Sequence, residues 1–186
     1  GKGVPASLFM AITRSLFRTL SQHVLSPAKI VTEMNNSISD NNESNMFVTL
    51  IVGILDLETG ILKLCNAGHN PPILIYPDGQ VSYLEFKTQI FVGVVEDFKY
   101  SDEEVVLEKE SKLFLYTDGV TEAENINKEL YGEEKLLEML SDNASSDVRT
   151  TVNVVVDSIA SHVKEAEASD DLTILLIQYE PGTANS

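Results

Sequence analysis

Two short acidic stretches each adjoin an apolar run, and they are the residues best suited to bind a cation. The run 113–116 is apolar and aromatic, and Thr117, Asp118 and Gly119 follow it. Such a run predicts a buried strand. Asp118 would then lie at the rim of a rigid sheet, where a carboxylate suits a hard cation such as Mg²⁺ or Mn²⁺. A plain Asp-Gly turn is the alternative, and these residues alone favour it.

The second acidic stretch has the opposite order. Asp170 and Asp171 precede the apolar run 172–177. If the two runs pair as antiparallel strands, the end of the first lies beside the start of the second. Asp118 and Asp170 would then meet at one rim, and neighbouring carboxylates repel each other unless a cation lies between them. The alternative is that Asp170 and Asp171 only precede a strand.

Composition limits the class of partner. The chain has 186 residues, of which 13 are basic and 29 acidic, for a net charge of −16. This length favours one domain, and this charge argues against nucleic acid or an anionic membrane as the main partner. The single cysteine, Cys65, excludes an internal disulfide and predicts a buried, unreactive thiol. No transmembrane run or signal peptide is visible, so we expect a cytoplasmic protein without direct membrane contact.

The order of the elements predicts an α+β fold. Helices are expected over about 5–20 and after the N-cap Ser26, each with an apolar stripe facing the core, which in the first helix includes Leu8, Ile12 and Leu16. A meander of antiparallel strands follows, then two more helices and a last strand after Asp170. The strands are expected at 46–56, 61–67, 73–76, 81–84, 105–107 and 112–117, and the later helices at 133–140 and 147–163. A polar loop is expected from Asp118 to Gly132. Asp147 is the expected N-cap of the last helix, whose buried side is expected to comprise Val152, Val155, Val156, Ile159 and Val163.

His69 is a lone histidine between turn residues. It could bind a ligand or order the loop by hydrogen bonding. The sequence favours the ordering role, because no second histidine or cysteine lies at metal-binding spacing.

Four motifs together resemble a known family. Residues 1–6, 66–72 (Asn-Ala-Gly-His-Asn-Pro-Pro), 116–123 (Tyr-Thr-Asp-Gly-Val-Thr-Glu-Ala) and 169–173 (Ser-Asp-Asp-Leu-Thr) occur in the order seen in the metal-dependent protein serine/threonine phosphatases. The chain is most similar to the bacterial stress-response and sporulation branch, which resembles the eukaryotic type 2C enzymes. The resemblance covers nearly the whole chain and favours the metal-site interpretation of both acidic stretches.

The resemblance implies an αββα sandwich of two antiparallel sheets flanked by helix pairs. It implies two Mn²⁺ or Mg²⁺ ions and a metal-activated water that attacks phosphorus, with no catalytic residue beyond the metal ligands. Asp118 and Asp170 match ligands of the first metal, Gly119 a position that keeps the rim open, and Asp171 a position that supports the ligands. The implied substrate is phosphoserine or phosphothreonine on a protein, usually an anti-sigma-factor antagonist.

The resemblance also implies that part of the site precedes this chain. In the family, an aspartate three residues before the position of Gly1 bridges the metals, and earlier strands complete one sheet. Residues 1–180 are therefore expected to be an incomplete phosphatase domain, inactive or nearly so alone, with 181–186 as a tail. Unpaired strand edges would promote association, including that of two copies. A second departure lies at 88–93, where the family often has Gly and Pro before the position of Gly93.

A non-catalytic binding module with a phosphatase-like fold is the alternative function. Retention of both Asp118 and Asp170 argues against it, since a protein without the activity has no chemical reason to keep either carboxylate.

Overall fold

The computed structural model of the protein describes residues 3–40, 42, 45–166 and 170–181. Gly1, Lys2 and Ser169, which belong to two of the motifs, lie outside these residues, as does the expected tail beyond Pro181. Within the described ranges, no helix combines the length and the apolar character needed to cross a membrane.

Five helices and seven strands alternate in blocks along the described chain. In order they are α1 (Val4–Leu20), α2 (Pro27–Ser39), β1 (Leu50–Leu55), β2 (Ile61–Ala67), β3 (Ile73–Ile75), β4 (Val81–Tyr83), β5 (Glu103–Val106), β6 (Lys112–Tyr116), α3 (Asp118–Thr121), α4 (Glu133–Asp142), α5 (Val148–Val163) and β7 (Ile174–Gln178). All strand pairs named within the two sheets are antiparallel.

The chain divides into two compact units. The first contains α1, α2 and a three-stranded sheet in the order β1-β2-β5. Helix α2 begins at Pro27 behind the N-cap Ser26, whose hydroxyl oxygen accepts a hydrogen bond from the Lys29 N–H. Its apolar side chains form the core with the sheet, and the buried residues of this core are Ala28, Ile30, Val31, Met34, Ile38, Val52, Cys65, Ala67, Val92 and Tyr100.

The second unit contains a four-stranded sheet in the order β4-β3-β6-β7, together with α3, α4 and α5. Asp147 caps α5 by accepting a hydrogen bond from the Thr150 N–H, as the sequence predicts. Leu136 and Leu140 of α4, and Val155 and Ile159 of α5, are buried in the core that includes Phe114 and Tyr116 of β6. Helices α4 and α5 therefore pack on this sheet and bury one side of β6.

The predicted α+β class is confirmed, and the structure has the two antiparallel sheets and two helix pairs that an αββα sandwich requires. The continuous meander is wrong, because β3 pairs with β4 and β6 rather than with β2. The chain leaves the first sheet at Gly68, where φ is +74°. Pro71 and Pro72 then lack the N–H groups that would extend β2 pairing.

Two predicted apolar stripes are also wrong in part. In α1, Leu8 and Ile12 are exposed. Instead, Phe9, Leu16 and Leu20 pack on the first core. Because α1 contacts the core through this narrow set of side chains, other apolar residues of its predicted stripe are left exposed. In α5, Val156 is exposed, whereas Thr151, which the prediction omitted, is buried.

Candidate metal site

The site begins at the point where β6 ends. Strand β6 is buried and pairs with β7, with Leu115 opposite Leu175 and Tyr116 opposite Ile174. Burial raises the pKa of the Tyr116 hydroxyl above its ordinary value. The antiparallel pairing places the end of β6 beside the start of β7, as the sequence predicted.

Thr117 extends this pairing beyond both strands. Its N–H donates to the Thr173 carbonyl oxygen at 3.1 Å, and its Oγ1 accepts from the Thr173 N–H at 3.1 Å. Its hydroxyl also donates to the Asp171 carbonyl oxygen at 3.4 Å. Sequence reasoning gave Thr117 no role, and its position between the β6 run and Asp118 was the only available signal. It fixes the segment that carries Asp170 and Asp171 to the end of β6.

Gly119 allows this segment to lie directly against α3. A Cβ built on Gly119 would lie 2.4 Å from the Asp171 carbonyl oxygen and 3.1 Å from its carbonyl carbon. Both of these are backbone atoms of a paired segment, so they have little freedom to move. The need for glycine here comes from close backbone approach rather than from a positive φ. Whether Gly119 also keeps the rim open beside a metal stays a prediction.

The two predicted ligands have similar local geometry. Asp118 is the first residue of α3, and its Oδ1 accepts a hydrogen bond from the Gly119 N–H at 2.9 Å. Asp170 Oδ1 accepts one from the Asp171 N–H at 2.8 Å. Both aspartates are exposed, and so is Asp171. Each carboxylate is thus oriented by the next backbone N–H, at a residue that is exposed to solvent.

These residues fit part of a divalent-cation site. Carboxylate oxygen is the ligand type that Mg²⁺ and Mn²⁺ prefer, and the Asp118 and Asp170 segments adjoin. Among the described residues, no three of the His, Cys, Asp and Glu side chains form a group that could hold a metal ion. The described residues thus bring two aspartate-bearing segments together, and the role of Asp118 and Asp170 as metal ligands stays a prediction.

The segment after Asp118, for which a plain Asp-Gly turn was the alternative interpretation, begins with the one-turn helix α3. The Glu122 N–H donates to the Asp118 carbonyl oxygen at 2.8 Å, which closes the turn. A short hairpin follows, in which the Tyr131 N–H donates to the Ala123 carbonyl oxygen. The polar loop expected here is therefore ordered by backbone hydrogen bonds.

His69 and Asn66 order the loop after β2 in the first unit. The buried Asn66 accepts from the His69 N–H at 2.8 Å and donates to the His69 carbonyl oxygen at 3.0 Å. The His69 Nδ1 lies 3.2 Å from Thr49 Oγ1. These contacts support the ordering role that the sequence favoured. Cys65 is buried as predicted, and burial raises its thiol pKa to about 12.

Buried Asn35 holds the loop around Gly93, where the stretch 88–93 departs from the family pattern. Its Oδ1 accepts from the Gly93 N–H at 2.9 Å, and its Nδ2 donates to the Val95 carbonyl oxygen at 2.8 Å. Gly93 has a φ of +96° and is further fixed by the Asn42 side chain, which donates to its carbonyl oxygen. The loop thus keeps a defined conformation without the usual Gly and Pro.

We expect Asn35→Ala to lower the free energy of unfolding by about 2 to 3 kcal/mol, because it leaves the buried Gly93 N–H without its acceptor and removes the donor to the Val95 carbonyl oxygen. Urea denaturation followed by circular dichroism measures this difference. Asn127→Ala, at an exposed turn position, is the control and should change stability by less than about 0.5 kcal/mol. Equal stability of the two variants would contradict the role of Asn35.

Comparison with known proteins identifies the family. The chain matches the family Stage II sporulation protein E (SpoIIE) over residues 1–180. The protein belongs to this family. The resemblance to the phosphatases of the sporulation and stress-response branch, which the sequence motifs indicated, is confirmed.

Two curated relatives are 25% identical to the chain. One is Protein IcfG of Synechocystis sp., of which the match covers 32%, with 95% of this chain. The other is Phosphoserine phosphatase RsbU of Bacillus subtilis, of which it covers 52%, with 96% of this chain. The chain thus spans about a third to a half of the length of these relatives.

Solved structures share the fold. The SiaA-PP2C domain of Pseudomonas aeruginosa superposes with a TM-score of 0.84 and 22% identity, over 97% of this chain and 72% of that one. The structure of RsbX in complex with magnesium superposes with a TM-score of 0.67 and 19% identity, over 96% of this chain and 76% of that one. These similarities confirm the fold that the motifs implied.

Proposed function

We propose that this chain is the catalytic domain of a protein phosphatase that hydrolyses phosphoserine or phosphothreonine with the help of Mn²⁺ or Mg²⁺. The observation that carries the proposal is the junction of the Asp118 and Asp170 segments at the paired ends of β6 and β7. Membership of the SpoIIE family and the name of the relative RsbU, a phosphoserine phosphatase, support it. The complex of RsbX with magnesium supports the choice of metal.

The negative charges of the substrate and of the protein explain why the reaction would need a metal ion. The substrate is a phosphate dianion, whereas the protein has a net charge of −16 and the two site aspartates are exposed. Such a surface repels phosphate unless cations lie between them. When bound, a divalent ion supplies charge neutralisation and lowers the pKa of coordinated water toward neutrality.

The residues of the chain then have distinct tasks. The Asp118 and Asp170 carboxylates bind the cation, and the Gly119 and Asp171 N–H groups keep those carboxylates oriented. Thr117 and Gly119 keep the two segments together. We assign none of the side chains of this protein as a nucleophile. Asp171 supports the ligands through its backbone without binding the metal.

The substrate and setting are part of the proposal. We assign to the protein a phosphorylated anti-sigma-factor antagonist as substrate, in the cytoplasm, because the sequence motifs resemble the sigma-regulating branch. Its function would be signal transduction in a bacterial stress response. Association of two copies stays a prediction.

Phosphate release from a phosphoserine peptide tests the function. We expect the full-length protein to release phosphate with Mn²⁺ and to lose that activity when EDTA removes the ion. A folded protein that stays inactive with both Mn²⁺ and Mg²⁺ would contradict the proposal and favour the non-catalytic binding module.

A further inference from the structure

A groove in the first unit is separate from the residues assigned to catalysis. It has a volume of about 620 Å³. Two segments, 87–91 and 94–101, supply its lining residues and form its walls. Its lining residues are Lys87, Thr88, Gln89, Ile90, Phe91, Val94, Phe98, Lys99 and Ser101.

The groove offers apolar surface to solvent. Phe91 is 41% exposed and Val94 54% exposed. The Phe91 ring stacks on Phe47, with 5.1 Å between ring centroids, and Phe47 is itself 55% exposed. Large apolar side chains grouped in this way are typical of interaction surfaces.

Hydrogen bonds hold the groove in a defined conformation. Gln89 Oε1 accepts a hydrogen bond from the Ser101 N–H at 2.8 Å, and its Nε2 donates to the Ser101 carbonyl oxygen at 3.0 Å. These two bonds join the walls. The Gln89 N–H also donates to the Asn66 carbonyl oxygen, which anchors this wall beyond the end of β2. A partner would therefore bind without a large ordering cost.

The charge of the lining is opposite to the charge of the protein. Lys87 and Lys99 are the charged residues of the lining, in a chain with 29 acidic and 13 basic residues. Within the described part of the chain, neither ammonium group has an ion-pair partner, whereas Lys63 is paired with Glu104. Glu103 lies nearby, but its carboxylate accepts from the Lys87 backbone N–H.

We propose that this groove is a docking site for a segment of a partner protein in which apolar side chains alternate with carboxylates. The apolar side chains would contact Phe91 and Val94, and the carboxylates would pair with Lys87 and Lys99. Because the net charge of the protein repels acidic peptides at long range, binding of such a segment would depend on these local contacts. The proposal is independent of phosphatase activity, since docking is measured directly as binding.

Fluorescence anisotropy with a labelled dodecapeptide of alternating Leu and Asp tests this docking on the full-length protein. We expect saturable binding at about 100 mM salt, where the long-range repulsion by the net charge is screened beyond about 10 Å and the local contacts decide the affinity. Lys87→Glu and Lys99→Glu should each weaken binding by about three- to five-fold. Lys109→Glu is the matched control, at an exposed lysine of the second unit, and should leave the affinity unchanged.

The apolar contribution is tested with Val94→Asp and with a peptide in which Ser replaces Leu, and both should weaken binding. Because Val94 is exposed, the Val94→Asp variant should have the same circular dichroism spectrum as the unsubstituted protein. Absence of binding, equal binding of a Leu-Lys peptide, or equal affinity of the Lys87 and Lys109 variants would overturn the proposal. Concentration-dependent dimerisation that Lys87→Glu abolishes would also overturn it, in favour of a second copy of this chain as occupant.

Discussion

Asp118→Asn should reduce Mn²⁺-dependent phosphate release by at least about 100-fold. The substitution keeps the shape of the side chain but removes the charge with which it would bind the cation. Loss of groups that only support metal ligands costs about 10- to 100-fold, so loss of a ligand itself should cost no less. Initial rates on a phosphoserine peptide with the full-length protein measure the effect.

Asp142→Asn is the matched control, because Asp142 is an exposed aspartate at the end of α4. It should retain the activity of the unsubstituted protein. The Asp118 variant should remain folded, since the hydrogen bond that its carboxylate accepts from the Gly119 N–H can also be accepted by an amide oxygen. Activity of the Asp118 variant close to that of the Asp142 variant would show that this carboxylate is dispensable.

Gly119→Ala should have the second-largest effect, on both stability and activity. The added methyl group would lie 2.4 Å from the Asp171 carbonyl oxygen, which is too close for any real contact. Either α3 or the 170–173 segment must move, so we expect a loss of about 2 to 3 kcal/mol in the free energy of unfolding. The same shift would separate Asp170 from Asp118 and lower the affinity for Mn²⁺.

Gly53→Ala in β1 provides the comparison for this change. There the added carbon would lie 3.4 Å from the Leu62 side chain, an ordinary contact, and the backbone has no positive φ. We expect its stability to lie within about 1 kcal/mol of the original protein. Urea denaturation measures the free energy of unfolding of the two variants. Equal stability would contradict the close backbone approach at Gly119.

The sequence was sufficient to predict how the two acidic stretches meet. An apolar run followed by Asp118 and an apolar run preceded by Asp170 have a simple antiparallel solution, and β6 and β7 adopt it. The capping residues Ser26 and Asp147 likewise predicted where α2 and α5 begin, because N-caps are local signals.

The contacts that fix the site were beyond sequence reasoning. The hydroxyl of Thr117 bonds to a segment more than fifty residues away along the chain, and nothing local indicates its partner. The closeness of Gly119 to Asp171 depends on backbone atoms that carry no sequence signal. The exposed face of α1 was missed for a related reason: periodicity shows which residues are apolar but not how much of that face finds a partner.

Titration calorimetry of Mn²⁺ binding is the most direct test of the claim that Asp118 and Asp170 bind one cation. In the full-length protein, Asp118→Asn and Asp170→Asn should each weaken binding by about 10-fold or more. If both carboxylates contact the same ion, their effects on Mn²⁺ binding are coupled. The loss of binding free energy in the double variant should then differ from the sum of the losses in the two single variants. Unchanged Mn²⁺ affinity in both single variants would contradict the account.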